Sequence, residues 1–303
     1  MTHRGDQART VSMLDRLRTS ALIAEGAMAT ELYRRGLRPQ SLAVAWNLVF
    51  PERVWAIHAA YVSVGVEVLK SNTFGANRLQ LEGYGAGKWV KDVNRAGVEI
   101  ARRALPPRGY LAGAVGPAGT FPFPRHRSHR RTLAIVYAEQ CSALLESGVD
   151  LLLLETQVQL REALLAARLA RRLSSVPLAV SCVFQARGGE LLTADGFSPG
   201  RAAQALADSG ADIVGCNCLP FPEAIRALRQ MRRAVQIPCL AMPSAGYPKR
   251  GRRGYRYPLT VSKAARGYTA LAAAGTRLIG GCCGMAPRHL ATLSTILQGT
   301  DRS

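Results

Sequence analysis

Short apolar runs alternate with longer amphipathic stretches along the whole chain. The runs read ALIAEGA (21–27), VEVLKSN (66–72), YLAGAVGP (110–117), DLLLLET (150–156), PLAVSCVF (177–184), DIVGCNC (212–218), PCLAMPS (238–244) and RLIGGCC (277–283). Near-continuous apolar segments of this length suit strands buried on both faces, as in a parallel sheet. Helical patterns lie between them. PERVWAIHAAYVSVG opens with Pro51 in a first-turn position and closes at Gly65. KDVNRAGVEIARRAL, YAEQCSALLESG, LREALLAARLARRL, SPGRAAQALADSG, FPEAIRALRQMRRAV and VSKAARGYTALAAAG repeat the plan, three of them ending at Gly148, Gly210 and Gly275. APRHLATLSTIL (286–297) follows the last run.

Eight strand-then-helix units predict an α/β fold, a (β/α)8 TIM barrel rather than an open doubly wound sheet. No linker or low-complexity stretch interrupts the pattern, so residues 1–303 read as a single domain, with 1–18 as an N-terminal extension or helix. In such a barrel the active site forms at the C-terminal ends of the strands. The polar residues that finish the strands are Glu25, Ser71, Asn72, Glu155, Cys218, Ser244, Cys282 and Cys283. The fold would gather them around one mouth.

Composition narrows the function classes. The chain has 303 residues, 48% hydrophobic and 20% charged, as a globular protein with a sizeable core would. No apolar run is long enough to span a membrane, and the polar start MTHRGDQARTVSMLDRL lacks a signal-peptide core, so the expected location is cytoplasmic. The seven cysteines are odd in number and unevenly spaced, which fits reduced thiols better than a disulfide framework. The net charge of +20 raises a nucleic-acid reading. The basic residues are mostly arginines spread over helix faces, with two denser clusters at 124–132 and 248–258, read as basic loops flanking the mouth. No zinc-finger spacing, RNP-type strand or KH-like loop accompanies them, so no nucleic-acid partner is expected.

Three cysteines then carry the chemistry. Cys218 ends the sixth strand, and Cys282 with Cys283 ends the eighth. Three thiolates around zinc leave a fourth tetrahedral position open, the arrangement of a catalytic site. Gly280, Gly281 and Gly284 would supply the backbone angles that let neighbouring sulfurs face one ion. Such a centre activates water poorly but holds an incoming thiol as thiolate, which points to alkyl transfer onto sulfur. Cys216 falls on the same strand face as Cys218 and deeper in the barrel; it reads as packing, as do Cys141, Cys182 and Cys239. Glu25 and Glu155 follow apolar runs and could hold the ammonium of an amino-acid substrate, with barrel-mouth salt bridges as the bland alternative. The Gly26–Ala27–Met28 turn could receive its carboxylate. His58 and His289 read as packing or capping residues, and His126 and His129 lie in a basic stretch without partner spacing, so no histidine catalysis is assigned. GAVGPAG (113–119) lacks the dinucleotide-binding pattern and reads as a wall of the pocket.

These residues together resemble the homocysteine S-methyltransferases. That family includes betaine– and S-methylmethionine–homocysteine enzymes and the homocysteine-binding module of cobalamin-dependent methionine synthase. The likeness is carried by EGAMATEL, SNTFGANRLQLEGYG, AVGPAG, GVDLLLLETQVQLREA, GCNCLP, PSAG and GGCCGMAPRHL, from end to end. It implies a (β/α)8 barrel with one zinc per chain on Cys218, Cys282 and Cys283. Homocysteine would bind by its sulfur with its amino-acid end near Glu25, Gly26 and Glu155, and methionine would be the product. Ser71, Asn72, Asn217 and Ser244 would line or support that pocket.

Several positions depart from the family pattern. Glu25 stands where Asp is usual, Ala29 where Gly is usual, and Ser244 where Asn is usual. Thr156 follows the strand-four acid where a Tyr can fill zinc's open position, so water, or Ser244 more weakly, is expected there. Gly75 replaces the aromatic residue of the betaine branch, which argues against betaine as donor. A sequence ending at 303 offers no room for a cobalamin or folate domain, which leaves a free sulfonium donor (S-methylmethionine or S-adenosylmethionine) or methylcobalamin on a separate corrinoid protein docking at the basic loops. The alternatives are a homocysteine- or thiol-binding module dependent on a corrinoid or folate partner, and methylation of a related acceptor such as selenocysteine.

Overall fold

In the computed structural model, residues 12–38, 41–119, 127–251 and 254–300 are described. Eight parallel strands make the barrel: β1 (Leu22–Ile23), β2 (Val68–Lys70), β3 (Tyr110–Val115), β4 (Leu151–Gln157), β5 (Leu178–Cys182), β6 (Ile213–Asn217), β7 (Cys239–Met242) and β8 (Leu278–Ile279). Their order is β1-β8-β7-β6-β5-β4-β3-β2. A bridge between Ala24 and Val68 joins the two ends. There the Glu67 N–H donates to the Ile23 carbonyl and the Glu25 N–H to the Val68 carbonyl, both at 2.9 Å. Every strand is thus paired on both sides, and the edge that an open sheet would expose is gone.

The continuous apolar runs reflect burial on two faces. One set of alternate residues, including Leu22, Val68, Tyr110, Ala112, Leu151, Leu153, Ala179, Ile213, Leu240, Met242 and Leu278, fills the barrel interior. The other set, including Ile23, Leu69, Leu111, Leu152, Leu154, Val180, Val214, Ala241 and Ile279, packs outward against the helices. Gly148, Gly210 and Gly275 follow helix ends in the left-handed conformation, with φ of 81°, 94° and 75°, which is where helices commonly recruit glycine.

The N-terminal extension includes helix Met13–Thr19, whose Ser12 cap accepts from the Asp15 N–H at 3.2 Å. Met13 and Leu17 join the interior cluster, so the helix closes the barrel's N-terminal end. Arg16 fastens it there, pairing with Glu67 at 2.7 Å and lying over the Tyr110 ring.

Both basic segments differ from the loops expected of them. Residues 127–132 are the opening turns of a twenty-residue helix, Arg127–Glu146, whereas the apolar pattern placed its start near Tyr137. The opening sequence RSHRRT is polar and Leu133 is the first apolar position, so periodicity could not reveal these turns. Residues 124–126 lie outside the described residues. The second segment folds into an antiparallel hairpin, Lys249–Gly251 against Gly254–Arg256. A further hairpin follows β5, Gln185–Arg187 against Glu190–Leu192. Gly188 and Gly189 turn it with φ of 57° and 84°, the two positive values that a two-residue hairpin loop needs. No helix of the described residues is long and apolar enough to cross a membrane.

Leu17 is fully buried beneath the interior cluster. Leu17→Ala is expected to cost about 2–5 kcal/mol, the range for truncating a buried leucine. Denaturant unfolding checks this, and a loss below about 0.5 kcal/mol would show that the helix does not seal the barrel.

Candidate metal and substrate site

Strand alternation carries the interior columns up into the mouth. Lys70 lies two residues beyond Val68, Glu155 two beyond Leu153, Ser181 two beyond Ala179 and Asn217 four beyond Ile213, so each continues an inward-facing row. The barrel is apolar below them and polar at the rim.

Cys218 reaches the mouth differently. By alternation it belongs with Cys216, and Cys216 is not deeper in the barrel as expected but faces outward. Its thiol lies 3.7 Å from the Ala224 carbonyl on helix Phe221–Ala234. At Cys218 the chain takes φ of 58°, a left-handed conformation uncommon outside glycine, and this turns the thiol back over the barrel. Thr156, just after Glu155, has φ of 62°. Strained non-glycine backbone of this kind persists where the surroundings over-determine it. Asn217 supplies that constraint: its Oδ1 accepts from the Thr156 N–H and the Ser181 hydroxyl, both at 3.0 Å. Its Nδ2 donates to Thr156 Oγ1 at 2.7 Å and lies 3.7 Å from Cys282 Sγ.

The paired cysteines are held by the end of β7. The Cys282 N–H donates to the Pro243 carbonyl and the Ala245 N–H to the Cys283 carbonyl, each at 2.8 Å. Of the three neighbouring glycines only Gly284 has a positive φ, 79°. The other two serve close approach instead: a Cβ on Gly280 would fall 2.9 Å from that of Ala24, and one on Gly281 2.5 Å from that of Met285.

The sulfurs of Cys218, Cys282 and Cys283 lie within 4.8 Å of one another. Cys218 and Cys283 are 3.6 Å apart, and Cys282 and Cys283 4.0 Å. Such thiols cannot all be charged without a cation. Cys283 falls to about 3 because Cys218, then Cys282, donate to it, with the Tyr257 hydroxyl adding a further bond. Cys282 gains from Cys218 but loses more by donating to Cys283 and by burial, and is pushed up to about 12. Cys218 is driven far above the ordinary thiol value by its bonds to Cys282 and Cys283 and by burial. A soft divalent cation among three sulfurs removes this conflict, and an all-sulfur set suits zinc. The donor set therefore fits a metal. Cys141 and Cys182, pushed up to about 12 by burial, have no comparable grouping and stay core residues.

Beside the sulfurs opens a cavity of about 340 Å³. Its walls include all three cysteines, Ala27–Thr30, Ser41–Val44, Ser71, Asn72, Phe74, Gly75, Gln80, Tyr84 and Thr156. Among the described residues lining it, Lys70 is the one ammonium and Glu155 the one carboxylate. They pair at 3.3 Å, and Lys70 Nζ also lies 3.5 Å from the Gly281 carbonyl. Burial pulls the Lys70 ammonium down, but Glu155, Cys282 and Glu25 outweigh it and leave it above the ordinary lysine value. Burial raises the Glu155 carboxyl against the pull of Lys70.

The remaining site residues from the sequence separate into lining and support. Ser71 and Asn72 line the cavity; Asn72 Nδ2 donates to Asn47 Oδ1 at 2.8 Å, and Ser71 Oγ lies 2.7 Å from Thr73 Oγ1. Glu25 is fully buried and placed behind the wall, its carboxylate 2.8 Å from His58 Nδ1 and accepting from the Lys70 N–H at 3.0 Å. Gly26 packs under Tyr61 and Met285, where a Cβ would fall 2.7 and 2.5 Å from them. The Ala27 N–H is taken by the Met285 carbonyl at 3.1 Å. Ser244 is buried, its N–H donating to the Leu219 carbonyl at 2.8 Å. His289 Nδ1 accepts from the Ala286 N–H at 3.0 Å at the start of helix Pro287–Thr300, a capping role. Sequence reasoning missed Lys70. Its signal was a lysine inside the apolar run VEVLKSN, in register with the inward-facing Val68.

Comparison with known proteins agrees with this architecture. The family model described as Homocysteine S-methyltransferase matches residues 22–297. A methionine synthase of Mycobacterium tuberculosis is 30% identical over 96% of this chain, and the chain spans 26% of that protein's length. An S-methylmethionine–homocysteine S-methyltransferase of Pongo abelii is 27% identical, covering 93% of this chain and 80% of its own length. The homocysteine methyltransferase MmuM from Escherichia coli, solved in a metallated form, superposes with a TM-score of 0.77 at 25% identity, covering 92% of this chain and 96% of its own.

Asn217 ties the ends of β4 and β5 to the cysteine turn. Asn217→Leu keeps the volume but strands the Thr156 N–H and the Ser181 hydroxyl, with an expected cost of about 2–4 kcal/mol. Thermal and denaturant unfolding measure it, and a change within about 0.5 kcal/mol would show that these bonds do not hold the rim.

Proposed function

The chain belongs to the homocysteine S-methyltransferase family, and from that premise we propose that it transfers a methyl group to the thiol of homocysteine, giving methionine. The observation that carries the reading is the convergence of three sulfurs from β6 and β8 at a cavity holding one buried carboxylate and one buried ammonium. Cys218, Cys282 and Cys283 are the proposed zinc ligands. A zinc ion bound by them would take up the acceptor's thiol and hold it as thiolate near neutral pH.

The chain's own residues account for the rest. Glu155 receives the acceptor's ammonium inside the cavity. Asn217 and the Pro243 carbonyl fix Cys282, and Tyr257 steadies the charge on Cys283 through its hydroxyl. Glu25 acts through its placement: held by His58, it anchors the Lys70 backbone and so aims the Lys70 side chain. Transfer is a displacement in which the acceptor sulfur forms the new S–CH3 bond and the donor keeps the electron pair of the old one. Among the described residues, Phe74, Gly75 and Gln80 give the cavity an uncharged wall that would suit the methyl donor.

Two donor classes have support. The S-methylmethionine-dependent relative matches over most of its own length. The methionine synthases are 30% identical over more than nine-tenths of this chain, which supports a methylcorrinoid donor as the second class. The basic hairpin that follows β7 is a docking face for a carrier of such a donor.

Cys282→Ala is expected to abolish both zinc retention and methionine formation, with metal content and product measured on one preparation. Full activity in that variant would overturn the reading. Assays with S-methylmethionine and with methylcobalamin assign the donor, and methionine from neither would favour dependence on a partner protein.

A further inference from the structure

We propose that Lys70 reads the acceptor's carboxylate and makes the site selective for α-amino-acid thiols over simple aminothiols. The inference rests on the reading of Glu155 as the ammonium's partner and extends it to the other end of the zwitterion.

The Lys70–Glu155 pair is buried, with side-chain exposures of 9% and 10%. Its 3.3 Å separation is long beside the usual 2.7–2.9 Å of a charge-assisted bond, and the 3.5 Å to the Gly281 carbonyl is longer still. The ammonium is thus held loosely, with capacity for another acceptor, and it lines the cavity. It is also firmly charged, because Glu155, Cys282 and Glu25 together outweigh its burial.

Placing a substrate ammonium on Glu155 makes it share with Lys70 the one carboxylate that both can touch, leaving Cys282 and Glu25 as the remaining negative neighbours where little water screens the two cations. A second anion entering with the substrate relieves that crowding. An α-amino acid brings that anion one carbon away from its ammonium, and four alternating charges result. An aminothiol brings none, so Lys70 repels it. Specificity here comes from a charge the wrong ligand cannot satisfy as much as from one the right ligand can. The competing role for Lys70 is a counter-charge to Cys282, which would support every thiol alike.

Calorimetric titration of the zinc-loaded protein separates these roles. The ligands are homocysteine, 3-aminopropane-1-thiol (no carboxylate) and 4-mercaptobutanoate (no ammonium); the proteins are wild type, Lys70→Met, Lys70→Gln and Glu155→Gln. Zinc content is recorded for each. Wild type should bind homocysteine at least about tenfold more tightly than the aminothiol. Both Lys70 variants should lose about tenfold or more for homocysteine and 4-mercaptobutanoate, keep or gain affinity for the aminothiol, and retain zinc. Equal loss for all three thiols, or loss of zinc, would overturn the inference and leave Lys70 as a counter-charge. The wild-type ranking needs no variant: an aminothiol bound as tightly as homocysteine overturns it too. Unchanged aminothiol affinity in Glu155→Gln would overturn the Glu155 reading instead, and this inference with it.

Discussion

Closure of the barrel between β1 and β2 is the constraint on which the mouth depends. It is a narrow join, one bridge at Ala24–Val68 flanked by two backbone hydrogen bonds. The next residue on β1 is Glu25, whose carboxylate accepts from the backbone of Lys70 and meets His58 behind it. The side chain therefore prolongs the ladder beyond the point where β1 stops being a strand. Lys70 is aimed inward by that attachment, and Gly280 and Gly281 allow β8 and the cysteine turn to pass close to Ala24 and Met285. One seam thus sets the Lys70 ammonium and two of the three sulfurs.

The barrel was legible because its strands are buried twice. Each apolar run quoted from the sequence contains an observed strand, β4 alone running one residue past its run, since strands filled on both faces leave no polar alternation to confuse the period. What could not be read was orientation at the rim. Alternation puts Cys216 and Cys218 on one face, and only the left-handed turn at Cys218 reverses the second. Glu25 looked like a pocket carboxylate because it ends an apolar run, yet Leu22 and Ala24 own the inward positions and Glu25 falls on the outward one. The same rule, applied to Val68, would have found Lys70. The hairpin after β5 was missed although Gly188–Gly189 is a turn signal, whereas the first turns of helix Arg127–Glu146 carried no apolar signal at all.

The rim also explains why a chain of net charge +20 places so deep the one ammonium that lines the cavity among the described residues. Surface arginines are screened by water and salt and act weakly on a buried site. Lys70 acts at close range, where the Glu155 carboxylate and the thiols accumulate negative charge. Under the proposed function, a divalent cation held by Cys218, Cys282 and Cys283 as thiolates would leave that group one net negative charge, the Lys70–Glu155 pair would add none, and a thiolate acceptor would add a second. Methylation would make that sulfur a neutral thioether and remove the charge by which the acceptor was held. Only the zwitterionic end would then anchor the product, so the same electrostatics that would gather the acceptor would favour release of the product.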